Sequence, residues 1–366
     1  MKKILFTAST FSHIRQFHLP YLRAFQEQGW AVHVAAGGRR MPLPYADHTL
    51  SVPFRKRMLA PENLKAASML RRAIAEENYA LLAVNTSLAA FFTRLAVDAK
   101  RRPKVVNMVH GYLFDNETAP AKRTLLLSAE RRMASRTDLV LTMNRYDYAV
   151  AQKYRLGGQI EQIPGVGVDF SFLDKTPPEA GTDLRAVYGI PEDAFVLLYA
   201  AEFSPRKSQK VLIRAMERLP DPAVLVLAGD GALREECRRL AEPHGRRVLF
   251  PGHVREMGPL YRMADAAVSA SRSEGLPFHV MEAMYAGLPV VASRVKGHTD
   301  LIAHGETGLL YPYGDAAACA EGILMLIRSP EKRARLGERA REAVKPYGIE
   351  TVFPLVWAQF TRLAGI

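Results

Sequence analysis

Short runs of apolar residues alternate along the chain with longer stretches in which apolar residues recur every three or four positions. Continuous apolar runs are typical of strands buried on both faces of a parallel sheet, and the longer stretches predict amphipathic helices. The predicted strands are Lys3–Ala8, Ala31–Ala36, Leu81–Val84, Val105–Val109, Leu139–Thr142, Gln159–Ile163, Phe195–Ala201, Val224–Ala228, Val248–Phe250, Ala266–Ala270, Val290–Ala292 and Leu309–Tyr311.

The predicted helices lie between these strands, as expected for β-α-β units. They are Phe17–Gln28, Pro61–Glu77, Leu88–Ala99, Lys122–Ser135, Tyr146–Tyr154, Gln209–Arg218, Leu233–Ala241, Pro277–Ala286, Ala316–Ile327 and Glu350–Leu363. Two sets of alternating strands and helices predict an α/β protein with two doubly wound, Rossmann-like domains.

A segment rich in Gly and Pro that begins at Pro164 marks the predicted boundary between the domains. We therefore predict a first domain over 1–164, a linker over 165–184 and a second domain over 185–345. The remaining residues, 346–366, form a predicted helical segment, for which the first domain is a candidate docking site.

The excess positive charge of the chain is confined to its first half. Residues 1–163 contain 25 Lys and Arg against 12 Asp and Glu, whereas residues 164–366 contain 25 of each kind, so the first half carries the whole net charge of +13. A basic surface favours an anionic membrane surface or a phosphorylated acceptor as partner, with a solvated surface as the alternative. The basic clusters include Arg39-Arg40, Arg55-Lys56-Arg57, Arg71-Arg72, Arg101-Arg102 and Arg131-Arg132.

Several classes of protein are disfavoured by the same composition. Nucleic acid is not expected as a partner, because the basic clusters lack interleaved aromatic residues and no helix-turn-helix or zinc-finger pattern is present. No apolar run reaches the roughly 18 residues of a membrane span. Cys237 and Cys319 match no metal-binding spacing and indicate a reducing compartment. We therefore expect a cytoplasmic protein whose basic half attaches peripherally to the inner face of the plasma membrane.

The stretch 273–293 carries the strongest candidate for chemistry. Glu274, Gly275, Leu276 and Pro277 follow a predicted strand and open a predicted helix. Gly275 permits a tight turn or a close ligand approach, and Pro277 suits the first helical position. Backbone N–H groups at a helix start favour an anion such as a diphosphate, so we expect an anion site here.

Two acidic residues, Glu274 and Glu282, are separated by seven residues around this helix start. One carboxylate can accept from both vicinal hydroxyls of a ribose, and the other can hold sugar hydroxyls or balance charge near an anomeric carbon. Two acids at this spacing are equally compatible with ordinary surface charges, so the pair alone assigns no function.

The wider arrangement points to a family. Residues 273–293 read S-E-G-L-P-x4-E-A-M-x-A-G-x-P-V-V-A-S, which resembles the donor-site signature of the retaining glycosyltransferases of family four. Stretches 201–207, 227–231, 250–254 and 296–310 resemble further family segments in the family's order. In the first half, 12–22 and 110–114 are similar to the branch that makes capsules and exopolysaccharides.

The resemblance implies the GT-B fold, in which two Rossmann-like domains face an interdomain cleft. It implies catalytic roles for Glu274, His110 and Lys207, with His13 and His18 on the acceptor side. Many relatives carry Gly-Arg where this chain has Ala201-Glu202, so the resemblance leaves open whether Arg206 replaces that arginine. The implied donor-binding residues are Arg206, Lys207, Gly252, His253, Val254, Glu274, Gly275, Leu276, Pro277, Phe278 and Glu282.

The implied reaction moves a hexosyl or N-acetylhexosaminyl unit from a nucleotide-sugar, with UDP as the expected nucleotide, to a saccharide acceptor. Retention of the anomeric configuration and a lipid-linked acceptor in surface polysaccharide synthesis are expected for the family. No cofactor is expected, and no metal, because no Asp-x-Asp motif stands out at a strand end. The alternatives are a nucleotide-sugar epimerase of the same architecture and a non-catalytic sugar-nucleotide-binding protein, which product analysis separates.

Overall fold

The computed structural model describes residues 1–55, 57–98 and 102–366. Lys56 and Arg101 of the basic clusters, and Ala99 at the end of a predicted helix, lie outside the described residues.

Contacts within the chain divide it into two compact units. Unit 1 comprises Met1–Gly167 and Ile349–Ile366, and unit 2 comprises Val168–Gly348. The C-terminal helix therefore belongs to the same unit as the N-terminal residues.

Unit 1 is built on a parallel sheet of seven strands. Its strands are β1 (Lys3–Ala8), β2 (Ala31–Ala36), β3 (His48–Ser51), β4 (Leu81–Asn85), β5 (Lys104–Val109), β6 (Leu139–Thr142) and β7 (Gln159–Gln162). Its helices are α1 (Phe11–Phe17), α2 (Leu19–Glu27), α3 (Pro61–Glu77), α4 (Ser87–Ala96), α5 (Pro120–Met133), α6 (Arg145–Tyr154) and, at the end of the chain, α16 (Ile349–Ala364). The strand order is β3-β2-β1-β4-β5-β6-β7.

Two elements of unit 1 differ from the prediction. Strand β3 was not predicted, because its residues are exposed or half-buried and form no apolar run at this edge of the sheet. The single helix predicted over Phe17–Gln28 is instead two helices that meet at His18. Pro20 lies in the first turn of α2, where its missing N–H is tolerated, and it cannot continue the hydrogen-bond ladder of α1.

Unit 2 contains a second parallel sheet, of six strands. Its strands are β8 (Phe195–Ala200), β9 (Ala223–Ala228), β10 (Val248–Gly252), β11 (Ala266–Ser269), β12 (Val290–Ser293) and β13 (Leu309–Tyr311). Its helices are α7 (Ser171–Asp174), α8 (Glu179–Tyr188), α9 (Gln209–Ala215), α10 (Arg234–Ala241), α11 (Gly258–Met263), α12 (Phe278–Tyr285), α13 (His298–Leu301), α14 (Ala316–Arg328) and α15 (Pro330–Val344). The strand order is β10-β9-β8-β11-β12-β13.

The stretch 165–184, which the sequence predicts as a linker, is largely folded into unit 2. It holds α7 and the first half of α8, and α8 packs against α11. Gly181 makes this approach close, since a Cβ there would lie 2.5 Å from the backbone carbon of Arg262. Gly and Pro near the predicted boundary thus serve helix packing and a helix start. Helix α15 was not among the predicted helices either.

Both sheets share one topological feature that decides where ligands bind. In unit 1 the chain moves outward from β1 to β3 and then crosses to β4 on the other side of β1, and in unit 2 it does the same from β8 to β10 and then β11. In open α/β sheets, ligands bind outside the carboxyl ends of the strands at such switch points. The candidate sites are therefore expected beside the ends of β1 and β4, and of β8 and β11.

Two further expectations can be compared with the fold. Among the described residues, no helix has both the length and the apolar character that crossing a bilayer requires. Cys237 and Cys319 are both buried, and neither takes part in a disulfide.

Candidate functional site

At the switch point of unit 2, two basic side chains converge on one buried carboxylate. Glu274 lies in the loop after β11 and is only 7% exposed. Lys207, from the loop after β8, donates from Nζ to its Oε1 at 2.5 Å, and Arg206 donates from Nη1 to its Oε2 at 2.7 Å. The structure therefore brings Arg206 to the same carboxylate as Lys207, although its position in the sequence differs from that of the family arginine.

The two loops are held together by contacts that the sequence analysis did not predict. The hydroxyl of Tyr199, on β8, donates to the carbonyl of Lys207 at 3.0 Å and lies 2.8 Å from Ser271 Oγ in the other loop. The backbone N–H of Arg272 donates to the carbonyl of Arg206 at 2.8 Å. These contacts place the basic side chains and the acid in one geometry before any ligand arrives.

Gly297 allows a third loop to approach Glu274. Its φ is +83°, and a Cβ there would lie 2.8 Å from the Cβ of Glu274 and 2.9 Å from the carbonyl oxygen of Gly275. A larger residue would push the Glu274 loop away from the basic side chains, so Gly297 serves both backbone conformation and close packing.

Charge determines the protonation of this cluster. Burial by itself would raise the pKa of Glu274, but the positive charges of Lys207 and Arg206 outweigh it and hold that pKa well below its usual range. Burial lowers the pKa of Lys207 from its ordinary value, against the opposing attraction of Glu274. Glu274 is therefore ionised at neutral pH, and with both bases protonated the cluster carries one excess positive charge.

The second acid of the motif, Glu282, lies within helix α12 and is half-buried. Burial raises its pKa, and a hydrogen bond from the hydroxyl of Tyr261 to its Oε2, at 2.7 Å, acts in the opposite direction. Tyr261 comes from α11, so a neighbouring helix orients this carboxylate. Nothing in the sequence pattern pointed to Tyr261.

Helix α12 starts one residue later than predicted, with Pro277 as the capping residue instead of the first helical residue. Residues 274–277 are buried, while Phe278 and His279 are half-buried. The start of this eight-residue helix therefore stands directly after the buried ion cluster.

Behind the helix start, a chain of hydrogen bonds orders two imidazoles. The Nδ1 of His298 donates to the carbonyl of Ser293 at 2.8 Å, which makes its Nε2 an acceptor for the hydroxyl of Ser269 at 3.0 Å. That hydroxyl accepts in turn from Nε2 of His279 at 3.3 Å. Burial lowers the pKa of His298 to about 4 and that of His279 well below its ordinary value, so both rings are neutral parts of the support for the loop.

The segment Gly252–Val254 is not part of this cluster. It begins at the last residue of β10, an edge strand two positions from β8, which corresponds to roughly 10 Å across the sheet. His253 is exposed. This placement is compatible with contact to a different part of an extended ligand, and the role of these residues remains a prediction.

The switch point of unit 1 gathers three histidines. His13 lies on α1, His18 lies between α1 and α2, and His110 follows β5. The Nε2 of His13 is 3.4 Å from the Nε2 of His110 and 3.4 Å from the Nε2 of His18. The family resemblance implied separate roles for these residues, and the structure shows that they form one cluster.

Asn85 completes the surroundings of the cluster and was not predicted. It ends β4, and its amide nitrogen donates to the carbonyls of Thr7 and Ala83 at 3.2 Å each. This aims its Oδ1 at the cluster, 3.3 Å from Nε2 of His110. The sequence feature that could have identified Asn85 as a site residue is a polar side chain at the end of an apolar strand in the centre of the sheet.

Burial sets the protonation of the three imidazoles. It lowers the pKa of His13 to about 4, and it lowers the pKa of His18 and of His110 well below the ordinary value, with mutual repulsion as a further cause for the latter two. The cluster is therefore neutral near pH 7, in contrast to the charged cluster of unit 2.

Comparisons with known proteins decide the family. The model of the family described as "Glycosyl transferases group 1" matches residues 181–343, and that of "Glycosyltransferase Family 4" matches residues 21–171. EpsD of Bacillus subtilis (strain 168), which is assigned to the glycosyltransferases, is 37% identical over 350 residues that cover 93% of this chain and 91% of EpsD. The chain belongs to glycosyltransferase family four.

Solved structures show the same fold for this family-four glycosyltransferase. Anabaena HepE, solved in complex with UDP and glucose, has a TM-score of 0.80 at 20% identity, covering 99% of this chain and 100% of HepE. Sucrose-phosphate synthase from Thermosynechococcus elongatus has a TM-score of 0.83 at 23% identity, covering 99% of each chain. The predicted family and its fold of two Rossmann-like domains, GT-B, are thereby confirmed. The roles of the individual site residues remain predictions.

Proposed function

We propose that this family-four glycosyltransferase transfers a hexosyl or N-acetylhexosaminyl unit from a UDP-sugar to a saccharide acceptor, with retention of the anomeric configuration. The observation that carries the proposal is the convergence of Arg206 and Lys207 on Glu274 at the switch point of unit 2. This cluster has one excess positive charge at the place where the topology favours an anionic ligand.

The leaving group of the reaction is a nucleoside diphosphate, whose negative charge develops in the transition state. Basic groups that are fixed in advance stabilise such charge best, because they need no rearrangement during the reaction. Lys207 is nearly buried and held by Glu274, while Arg206 is half-exposed, so Lys207 makes the larger contribution. The adjacent start of helix α12 adds its N–H groups and dipole.

The remaining site residues take positioning roles in this proposal. Glu282 accepts from the ribose hydroxyls, with Tyr261 fixing its orientation. Glu274 positions the sugar of the donor. A carboxylate that two basic groups already occupy is a weak nucleophile, which supports attack on the same face as the leaving phosphate, with that phosphate accepting the acceptor's proton.

A panel of nucleotide-sugars tests the donor assignment. Ligands that bind the folded state raise the melting temperature, so UDP-sugars should raise it more than GDP-, ADP- or dTDP-sugars at equal concentration. A panel that shifts nothing would refute a nucleotide-sugar donor.

Product analysis with the best donor then tests the reaction. Transfer to a saccharide acceptor with retained configuration supports the proposal. An isomeric sugar nucleotide formed without acceptor would identify an epimerase, and binding without turnover on any saccharide or lipid-linked acceptor would identify a binding protein.

We further propose a lipid-linked acceptor in surface polysaccharide synthesis, met at an anionic membrane surface. In support, unit 1 carries the excess positive charge of the chain, and helix α4 packs against both α3 and α5. Those two outer helices expose Leu64 and Leu125, at 64% and 67%, next to the exposed basic residues Lys65 and Lys122. Apolar and basic side chains together favour the headgroup region of an anionic bilayer.

Vesicle flotation tests this attachment. Binding should rise with the fraction of anionic lipid and fall with salt, and Lys122→Glu should weaken it roughly tenfold, because it removes one positive charge and adds a negative one. Arg339→Glu, at an exposed position of α15 in unit 2, is the matched control and should leave binding unchanged. Flotation that ignores the anionic lipid content would refute the attachment.

A further inference from the structure

The three histidines at the switch point of unit 1 have a geometry that hydrogen bonding alone does not require. Their Nε2 atoms, and not other ring edges, face one another: His13 is 3.4 Å from both His18 and His110, and all three ligand atoms lie within 4.8 Å of one another. In a tetrahedral zinc site with Zn–N distances of about 2.0–2.1 Å, neighbouring ligand atoms are about 3.3–3.4 Å apart. Two of the three spacings therefore already have the length of a tetrahedral edge.

The three histidines lie on different segments, and local contacts fix the backbone that carries them. Thr10 caps α1 by accepting from the backbone N–H of His13 at 3.3 Å. The loop of His110 is fixed by Ser87, whose hydroxyl donates to the carbonyl of Gly111 at 3.0 Å. His18 is completely buried. Ligands on a preformed frame bind a metal ion with little reorganisation, which is a requirement for a tight site.

One ring nitrogen of the cluster lacks a hydrogen-bond partner among the described residues. A neutral imidazole has one N–H donor and one acceptor nitrogen. Among the described residues, the buried Nδ1 of His18 has no hydrogen-bond partner. Whichever tautomer His18 adopts, one polar atom stays unpaired, so an apolar residue would serve the fold better. A histidine that is kept here despite this unpaired atom calls for a functional explanation. That explanation involves Nε2, which faces the other two imidazoles, because a ligand on Nε2 leaves the Nδ1 atom as it is.

We propose that His13, His18 and His110 bind one divalent transition-metal ion, with zinc as the preferred ion, through their Nε2 atoms. Imidazole ligands suit zinc and its neighbours in the first transition row, whereas magnesium and calcium prefer oxygen ligands. Asn85 Oδ1 lies 3.3 Å from Nε2 of His110, which is also the spacing between neighbouring ligand atoms of a tetrahedral site. The proposal departs from the prediction of no metal, which considered carboxylate motifs and cysteine spacing but no histidine cluster.

The test uses the full-length, untagged protein after removal of metal with a chelator. Titration with Zn²⁺ followed by calorimetry should show one site, and Co²⁺ should give the visible absorption band of a four-coordinate site. His13→Ala should weaken both by roughly 100-fold, since it removes one of three nitrogen ligands. His48→Ala is the matched control, because His48 is exposed in unit 1 and contacts only the separate ring of His33 among the described aromatic pairs.

Thermal melts establish that the His13→Ala protein is folded, and His110→Gln replaces it if the first variant is not. Binding that is equal in the His13→Ala and wild-type proteins, or wild-type protein that binds no Zn²⁺ at micromolar concentration, would overturn the proposal and leave a metal-free imidazole cluster. A zinc site would assign His110 to metal binding instead of the catalytic role that the family resemblance implies. The readout involves no nucleotide-sugar and no residue of unit 2, so either result leaves the donor site at Lys207, Arg206 and Glu274 untouched.

Discussion

The two units place different chemistry at the same point of the same topology. In unit 2 the loops after β8 and β11 bring together Lys207, Arg206 and Glu274, whose charges are mutually paired. In unit 1 the segments that follow β1 and β5 bring together three neutral imidazoles, one of which has a buried nitrogen without a hydrogen-bond partner among the described residues. The topology thus determines where a site forms, and the side chains of the loops determine what it binds.

Because one cluster is charged and the other neutral, substitutions in the two clusters should affect stability differently. A buried ion pair that loses one partner is strongly destabilised, whereas an incompletely bonded buried imidazole contributes little to the fold. We therefore expect substitutions in the unit 2 cluster to change both stability and activity, and substitutions in the unit 1 cluster to change binding with little effect on stability.

The largest expected effect follows from Glu274→Gln, which leaves Lys207 buried without its counter-charge. The variant should be about 3–5 kcal/mol less stable at neutral pH, measured by chemical unfolding. The double variant Glu274→Gln/Lys207→Met should recover most of that loss, because it leaves no unpaired buried charge. A double variant as unstable as the single one would show that the pairing is not the cause.

The pH dependence of the same variant gives an independent check. The folded-state pKa of Glu274 lies below its ordinary value of 4.5, so the unfolded chain takes up the proton first as the pH falls. The wild-type protein should therefore lose stability as the pH drops below about 4.5, and the Glu274→Gln protein should show a shallower loss. Parallel curves in melts from about pH 3 to 7 would contradict the charge assignment.

Lys207→Ala is expected to lower kcat/KM by roughly 100- to 1000-fold, because it removes a fixed charge that stabilises the leaving diphosphate. Arg206 still pairs with Glu274 in this variant, so the protein should stay folded. Lys210→Ala is the matched control: it lies three residues further on and pairs with Glu236 at 2.5 Å. Near-normal turnover of a folded Lys207→Ala enzyme would remove Lys207 from the mechanism.

A smaller effect is expected from Tyr261→Phe, which removes the hydrogen bond to Glu282. Without this bond Glu282 is less well oriented, and the free energy of donor binding should weaken by about 1 kcal/mol. The KM for the donor should therefore rise about fivefold, with little change in kcat. Tyr285→Phe, which removes a hydrogen bond to Asp174 from the same helix α12, should leave both constants unchanged. Equal effects of the two variants would mean that Tyr261 supports the helix and not the ribose contact.

The smallest effect on stability is expected in unit 1. His18 lies against the rings of Phe6 and Tyr21, so His18→Phe should keep the free energy of unfolding within about 1 kcal/mol of the wild type or raise it. His298→Phe, in unit 2, should lose about 1–3 kcal/mol, because both ring nitrogens are hydrogen-bonded there. Equal losses in the two variants would remove the contrast between the clusters.

Much of this architecture was predictable from local pattern. The apolar runs of β1, β2 and β6 have the predicted bounds, and helix α3 begins and ends where its periodicity indicates. Elements without such a pattern were missed, as β3 at the sheet edge and α1 before His18 show. Their residues obtain their conformation from neighbours in space, which periodicity does not report.

The sequence by itself determined the two parallel sheets, the family and most side chains of the candidate site, because buried strands and helix starts leave a local signature. Only the tertiary structure decided which of those side chains meet. Lys207 and Glu274 are 67 residues apart, and His13 and His110 are 97 apart. Each pair is joined because strand order and register bring the ends of distant strands side by side, and no local pattern encodes that neighbourhood.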